Sequence, residues 1–567
     1  MTELPSPNRS RDWFDTPELY GWLRKAAFKA EGFGEPAYDG KPIIGICNTW
    51  SELTHCNSHL RDLAESVKRG VWQAGGFPME FPVMSLGEYN MKPTTMLYRN
   101  LLSMDVEESI TANPLDGVVL LGGCDKTTPA LLMGAASADI PAILVTGGPQ
   151  LNGNWKGEEL GSCTDCRRYE VELRAGTIDE GDWAELQSCI VRSNGHCMTM
   201  GTASTMGTMG EALGMALPGN AAIPAVDSRR KQLAEEAGRQ IVRNVGSDLI
   251  PSRIMDEKAF DNAIKCLHAI GGSTNAIVHL IAIAGRVGID LPLHRFDDLS
   301  KSTPFLLNLK PSGKYLMEDF YYAGGAPALM MRIESLLEKD NITVTGKTLG
   351  ENIEGQMVHN EDIIRPMSDP LHSEGGLAVL YGNIAPTGAI IKPTAASPEL
   401  MVHRGKAVVF EDHDDLARRI DDPDLSVFPD DVLVLKNSGP IGGPGIPEWG
   451  FLPIPKKILA TGVRDMVRLS DARMSGTAFG TVVVHITPES AGGGPLSAIQ
   501  DGDIVEIDVP NRKLNLLVSD EELDSRLDSI SNDVIEFKRG YKWLHAQHVL
   551  QADKGCDFDF LRSEVLQ

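Results

Sequence analysis

The chain has 567 residues, enough to bury two hydrophobic cores rather than one. Its 53 Lys and Arg against 78 Asp and Glu leave a formal charge of −25, which repels phosphate backbones and anionic membranes and argues against nucleic-acid and lipid partners. A hydrophobic content of 42% with 57 Gly and 34 Pro describes a turn-rich globular protein and excludes a fibrous or disordered one. The opening segment MTELPSPNRSRDWFDTPELY lacks the apolar core of a secretion signal, and no stretch reaches the roughly 18 apolar residues of a spanning helix, so a cytoplasmic location is expected. Nine cysteines, an odd number thinly spread, argue against a disulfide framework.

The first third alternates short apolar runs with helical patterns. KPIIGICNTW, PMEFPVMS, DGVVLLGG and PAILVTGG read as strands, separated by helices over 57–72, over TTMLYRNLLSMDVEESI and over TTPALLMGAASA. Apolar strands alternating with helices indicate parallel βαβ units whose sheet is covered on both faces. In such sheets ligands bind beyond the carboxyl ends of the strands. Cys56 follows the first strand, Glu88 the second, and Cys124, Asp125 and Lys126 the third, so three loops are expected to face one crevice.

From Thr199, TMGTASTMGTMGEALGMAL places small residues at nearly every turn of a helix that starts beside Cys197 and packs closely on its neighbours. A helical region over 256–285 is interrupted by Gly271-Gly272-Ser273-Thr274-Asn275, which reads equally as a pocket-lining break and as a plain corner. Near residue 370 the texture changes to GLAVLYGN, AVVFEDHDD, DVLVLKNSG, MVRLS, TVVVHIT and DIVEIDVPNRKLNLLVS, the last a hairpin turning at Pro510-Asn511. The expected fold class is α/β: a large N-terminal α/β domain with a parallel sheet over 1–372, and a smaller strand-rich, β-barrel-like α+β domain over 373–567.

Three cysteines, Cys56 (THCNSHL), Cys124 (GGCDKTTP) and Cys197 (NGHCMTMGTAS), lie far apart, each in a loop rich in Gly, Asn or His. Three thiolates converging on a cleft suit an iron-sulfur cluster with one iron position open. Three buried free thiols are the competing reading. Cys163 and Cys166 form a CxxC with no second pair and no thioredoxin-like surroundings, and are expected to be incidental thiols of a loop. Glu88, Asp125 and Glu448, the last in GPIGGPGIPEWG, are carboxylates of the kind that bind Mg²⁺ and leave positions for substrate oxygens, although each alone reads as a solvated loop acid. Lys126 beside Asp125 reads as a salt-bridging surface lysine. In LSDARMSGTAFG, Ser475 and Thr477 occupy a small-residue turn where a serine can act as nucleophile or base. No histidine partner is positioned by sequence, which weakens a Ser-His-Asp hydrolase.

Together CNSHL at Cys56, GGCDKTTP at Cys124, GHCMTMGTAS at Cys197, GGSTN at Gly271 and SDARMSGT around Ser475 resemble, in order and spacing over nearly the whole chain, the IlvD/Edd family of dihydroxy-acid and sugar-acid dehydratases. Within it the chain is similar to the pentonate and aldonate branch, typified by L-arabinonate and D-xylonate dehydratases. The cues are CDKTTP, DSRRK at Asp227, PSGKYLMEDFYYAGG at Pro311 and the tail HAQHVLQADKGCDFDFL from His545. Branched-chain dihydroxy-acid enzymes usually carry TANTM where this chain has GTASTM, and a DGR-type sequence where it has DAR, which argues against valine and isoleucine biosynthesis as the main role.

The resemblance implies a hydro-lyase that turns a 2,3-dihydroxy sugar acid into its 2-keto-3-deoxy acid. It implies that Cys56, Cys124 and Cys197 hold a [2Fe-2S] cluster with one open iron, and that Glu88, Asp125 and Glu448 bind Mg²⁺ together with Lys126, which is carbamylated in the family. Ser475 is then the base and Thr477 a substrate contact. Selectivity for a sugar acid asks for polar groups facing the distal hydroxyls. His545 and His548 are the candidates, in a homodimer or homotetramer whose tails reach a neighbouring subunit. The competing classes are a branched-chain dihydroxy-acid dehydratase, a three-cysteine zinc hydrolase, and an iron-sulfur sensor or electron carrier that needs the cysteines but not Ser475, Glu88 and Glu448. The active site is expected between the two domains.

Overall fold

A computed structural model describes residues 8–17, 19–530 and 537–563. The four apolar runs of the first third form a parallel sheet of β1 (Ile43–Asn48), β2 (Phe77–Pro82), β3 (Gly117–Gly122) and β4 (Ala142–Thr146), in the order β2-β1-β3-β4. Every residue of β1, β3 and β4 is buried, which is why those runs are apolar up to Asn48 and Thr146 at the ends of β1 and β4; β2, at an edge, is partly exposed. The chain leaves β1 toward β2 and then crosses to the other side of β1 to lay down β3. Loops after β1 and β3 therefore part in opposite directions, and this switch point is where such sheets take their ligands.

Helices Leu60–Gln73, Arg99–Thr111 and Thr127–Ala138 follow the first three strands. The first starts at Leu60 rather than at 57, because residues 54–60 make tight turns in which Asn57 N donates to Thr54 O and Leu60 N to Asn57 O. Those turns hold Cys56 at the end of β1. All residues of the small-residue helix Thr202–Ala212 are buried. The GGSTN segment separates helices Glu257–Ala269 and Asn275–Arg286. A short hairpin of β5 (Gly153–Trp155) and β6 (Glu158–Leu160) stands beside the helix Thr164–Ala175.

The strand-rich part closes into an eight-stranded barrel. Its members are β7 (Ala378–Gly382), β8 (Ala385–Ile391), β9 (Val402–Phe410), β10 (Val432–Leu435), β11 (Arg468–Ser470), β12 (Val482–Thr487), β13 (Ile504–Asp508) and β14 (Lys513–Leu516), in the order β10-β11-β12-β8-β7-β14-β13-β9. β13 and β14 are the hairpin read from the sequence. Alternate residues face opposite sides of a strand. Val483, Ile391 and Leu380 fill the barrel, while Val482, Val484, Ile390 and Val379 turn outward and join the core of the α/β part. One face of the barrel is therefore an internal interface, and the loops at its rim meet the strand ends of the sheet. Among the described residues no helix is long and apolar enough to cross a membrane.

Gly123 allows the loops after β1 and β3 to touch, since a Cβ there would stand 2.6 Å from the Cys56 carbonyl oxygen. Gly123→Ala is expected to cost about 1–3 kcal/mol, read as a lower midpoint in urea unfolding. An unchanged midpoint would contradict the tight approach.

Candidate active site

A cavity of about 190 Å³ opens between the switch point and the barrel, lined by the thiols of Cys56, Cys124, Cys163 and Cys197, the carboxylates of Glu88, Asp125 and Glu448, and the hydroxyls of Ser475 and Thr477. A larger cleft of about 810 Å³ lies on the barrel, but its cations are each paired with an acid: Lys436 with Glu411, Arg419 with Asp415, Arg526 with Asp503. The smaller cavity alone collects reactive groups from several elements.

The thiols arrive from separate loops. Cys56 and Cys124 sit on either side of the switch point, and Cys197 is tied to the loop after β4, where His196 N donates to Gly148 O at 3.0 Å and Gln150 N to His196 O at 2.8 Å. The Cys56 thiol is pushed well above its ordinary range by its hydrogen bond with Cys124, by burial and by the nearby Cys197 and Asp125. Cys163 Sγ stands 3.3 Å from Cys197 Sγ, and the Tyr89 hydroxyl bridges the two sulfurs. Cys197 is drawn down to about 7 by the Cys163 thiol and, against the opposing effect of burial, by Tyr89 and Ser162. Cys163 is pushed up in return by its bond to Cys197 and by burial.

Lys126 is fully buried, which corrects the reading of a surface lysine: its Nζ lies 2.5 Å from Asp125, 3.1 Å from Glu448 and 3.3 Å from Glu88. Burial and Arg473 act to discharge the amine, yet Asp125, Glu448 and Glu88 outweigh them and raise its pKa. Glu448 is held down to about 2, because Lys126, Arg473 and Arg167 overcome the effect of burial. Asp125 goes the other way, raised by burial and by Glu88 and Glu448 against the pull of Lys126. Arg473 ties the acids together across the domains: it donates to Glu448 at 3.2 Å and to Thr94 Oγ1 at 3.1 Å, and Thr94 donates to Glu88 at 2.8 Å. Asn275, from the GGSTN break, donates to Glu448 at 3.3 Å and to Thr202 Oγ1 at 3.0 Å. The break therefore stands behind the pocket, bonded to Thr202 and Glu448 that line it.

Among the described residues no three His, Cys, Asp or Glu side chains stand as a ready metal-binding group. The middle of the acid ring is filled by the Lys126 ammonium. The donor types nonetheless fit two metals of different kinds: soft sulfur on one wall, hard oxygen on the other.

Ser475 Oγ and Thr477 Oγ1 are 2.9 Å apart, and Thr477 N donates to Ser475 Oγ at 3.4 Å. Thr164 fixes the turn by donating to Thr477 O at 2.9 Å. Gly476 is required between them, since a Cβ would stand 2.5 Å from Ser273 Oγ. His196 lines the same cavity, but burial takes its pKa down to about 4, which keeps it neutral.

His548 and His545 are not among the cavity-lining residues. His548 Nδ1 pairs with Asp559 at 3.0 Å and its ring packs edge-on against Phe560; His545 is buried against Tyr541 and Phe558. Cys163, expected to be incidental, lines the cavity, while Cys166 packs with Trp155 and Tyr169. Arg167, which the sequence did not single out, also lines the cavity, with its guanidinium over the Phe451 ring at 5.0 Å. A cation four residues after a loop cysteine carries no signal of its own in a single sequence.

A parallel sheet whose switch point faces a barrel across thiols, acids and a serine makes this cavity the candidate active site of an enzyme. Comparison with known proteins makes the class specific. The model described as Dihydroxy-acid/6-phosphogluconate dehydratase N-terminal matches residues 41–352, and its C-terminal counterpart matches residues 362–556. The chain is 53% identical to the L-arabinonate dehydratase of Rhizobium leguminosarum bv. trifolii, covering 99% of this chain and 97% of that one. It is 52% identical to the L-arabonate dehydratase of Azospirillum brasilense, over 98% of this chain and 96% of the other. It is 48% identical to the 6-deoxy-6-sulfo-D-gluconate dehydratase of Pseudomonas putida, again over 98% and 96%. The chain belongs to the dihydroxy-acid/6-phosphogluconate dehydratase family.

The loop carrying Glu448 is anchored by Glu489, which accepts from Ile441 N, Gly442 N and Gln551 Nε2. Burial and Asp471 raise Glu489 from its ordinary 4.5 to about 7, against the pull of those donors. The fold thus favours the protonated acid, so this group's contribution to stability falls as pH rises from about 4.5 through about 7. Glu489→Gln is expected to flatten that part of the unfolding profile. A slope equal to wild type would exclude Glu489 as its source.

Proposed function

We propose that the chain is a hydro-lyase that dehydrates an aldonate, with L-arabinonate and D-xylonate as leading substrates, to the 2-keto-3-deoxy acid. The observation that carries this reading is the meeting of three loop thiols, three acids from both sides of the cavity and the Ser475-Thr477 pair in one space. The relatives named for L-arabinonate, L-arabonate and 6-deoxy-6-sulfo-D-gluconate support a sugar acid as the substrate class.

In this reading Cys56, Cys124 and Cys197 would hold a [2Fe-2S] cluster, and Glu88, Asp125 and Glu448 would hold Mg²⁺, with Lys126 as a carbamate in place of the ammonium. Bound there, the two groups supply a Lewis acid for the departing C3 hydroxyl and a counter-charge for the carboxylate and C2 hydroxyl. Ser475 Oγ takes the proton from C2. A serine is too weak a base unaided, and the Thr477 N–H and hydroxyl directed at its oxygen lower the cost of the alkoxide. Arg473 and Asn275 hold Glu448 among the acids that would bind Mg²⁺. Thr477 also meets the substrate, and the enol left by elimination tautomerises to the ketone. Assembly as a homodimer or homotetramer, and a cytoplasmic location, belong to the same proposal.

The test is 2-keto acid formation by anaerobically purified protein over pentonates, hexonates and 2,3-dihydroxyisovalerate. Turnover is expected with a pentonate or hexonate; preference for 2,3-dihydroxyisovalerate would replace the substrate assignment. Ser475→Ala is expected to keep the visible absorbance and lose about 10²–10⁴-fold in kcat, and wild-type turnover would remove the base. Cys124→Ser is expected to lose the visible spectrum; an unaltered spectrum takes Cys124 out of the ligand set.

A further inference from the structure

We infer that Cys163 is a fourth thiol of the cluster site, a displaceable ligand that fills the iron position left open by Cys56, Cys124 and Cys197 until a substrate takes it. The inference rests on the three-cysteine reading above and adds to it a residue whose CxxC context suggested no role.

Cys163 shares one cavity wall with the other three thiols, and its sulfur is 3.3 Å from that of Cys197. Two sulfurs bound at about 2.3 Å to one tetrahedral metal sit roughly 3.8 Å apart. The pair is thus within half an ångström or so of a ligand pair, and much farther than the about 2.05 Å of a disulfide. The backbone of Cys163 has φ +68° and ψ −43°, a positive-φ conformation outside the left-handed helical region that a residue with a side chain adopts at a cost. Cys166, one turn on, faces an apolar cluster instead.

The segment is also held still. Gly161 N donates to Asp165 at 2.6 Å, Lys310 pairs with Asp165 at 2.7 Å, and Thr164 reaches across to Thr477 O at 2.9 Å. A sulfur held at that spot needs no loop movement to reach a metal bound by Cys197. On binding, the Cys163 thiol releases its proton to solvent and an Fe–S bond forms. When a sugar-acid hydroxyl enters, that bond breaks, an Fe–O contact replaces it, and the sulfur takes back a proton. No electron is transferred.

The experiment uses the full chain, purified anaerobically as wild type, Cys163→Ser and Cys163→Gly, the last suited to the local backbone. Iron and sulfide content, visible circular dichroism and the electron paramagnetic resonance of the reduced protein are recorded with and without L-arabinonate. We expect equal iron and sulfide in all three. The substrate-free variants should already show the shift that L-arabinonate produces in wild type, and bleach faster in air. Cys163 of iron-loaded wild type should resist iodoacetamide and become reactive once iron is removed. Variant and wild-type spectra that coincide without substrate, alkylation of Cys163 indifferent to iron, or a Cys163-Cys197 disulfide in iron-loaded protein would each overturn the inference while leaving the three-cysteine site intact. Wild-type protein that binds no iron would remove the cluster reading, and this inference with it.

Discussion

The Lys126 ammonium is buried among carboxylates that come from both halves of the chain: Asp125 and Glu88 from loops of the parallel sheet, Glu448 from a loop of the barrel. Charges so deeply buried are tolerated only when paired and hydrogen-bonded, and removing one partner from such a set typically costs about 3–5 kcal/mol. The interaction therefore couples domain docking to site assembly. Three acids stand against Lys126 and Arg473, with Arg167 also acting on Glu448, so the ring is balanced while Lys126 is an ammonium. It would turn negative, and call for a divalent cation, if Lys126 became an anionic carbamate.

The cavity divides its chemistry by wall. Sulfur comes from loops at the ends of the sheet, where Gly123 lets Cys56 and Cys124 approach. Hydroxyls come from the barrel, where Gly476 lets the Ser475 turn press against Ser273 and the start of the helix Thr202–Ala212. Small residues in GTAS, GGSTN and MSGT are thus parts of one contact, a close approach of three backbones around a reaction space. Arg473 and Asn275 then fix the acid that faces both walls.

Much of this was legible in the chain. Strands β1, β3 and β4 are buried on both faces, so their runs are apolar almost throughout, and the polar or reactive residues at and just beyond their ends stand out. The barrel-like character of the second part was legible from its runs, although β8, APTGAII in sequence, hides behind Pro386 and Gly388 and is the partner of both β7 and β12. The burial of Lys126 was invisible to local reading, because two of its acids are distant in sequence. Cys163 was missed for the same reason. Its partner, Cys197, lies 34 positions away, and only the fold brings the two sulfurs together. The tail histidines stand apart from this chain's own cavity, with His545 packed in an aromatic cluster and His548 held by Asp559.

The account turns on one cavity serving both as a sulfur site and as an acid site for a sugar acid. Diffraction at the iron absorption edge, from crystals grown anaerobically with L-arabinonate and Mg²⁺, tests it most directly. The account predicts an anomalous iron peak bounded by Cys56, Cys124 and Cys197, with the aldonate between it and Glu88, Asp125 and Glu448. Iron located elsewhere, or zinc in its place, would contradict it.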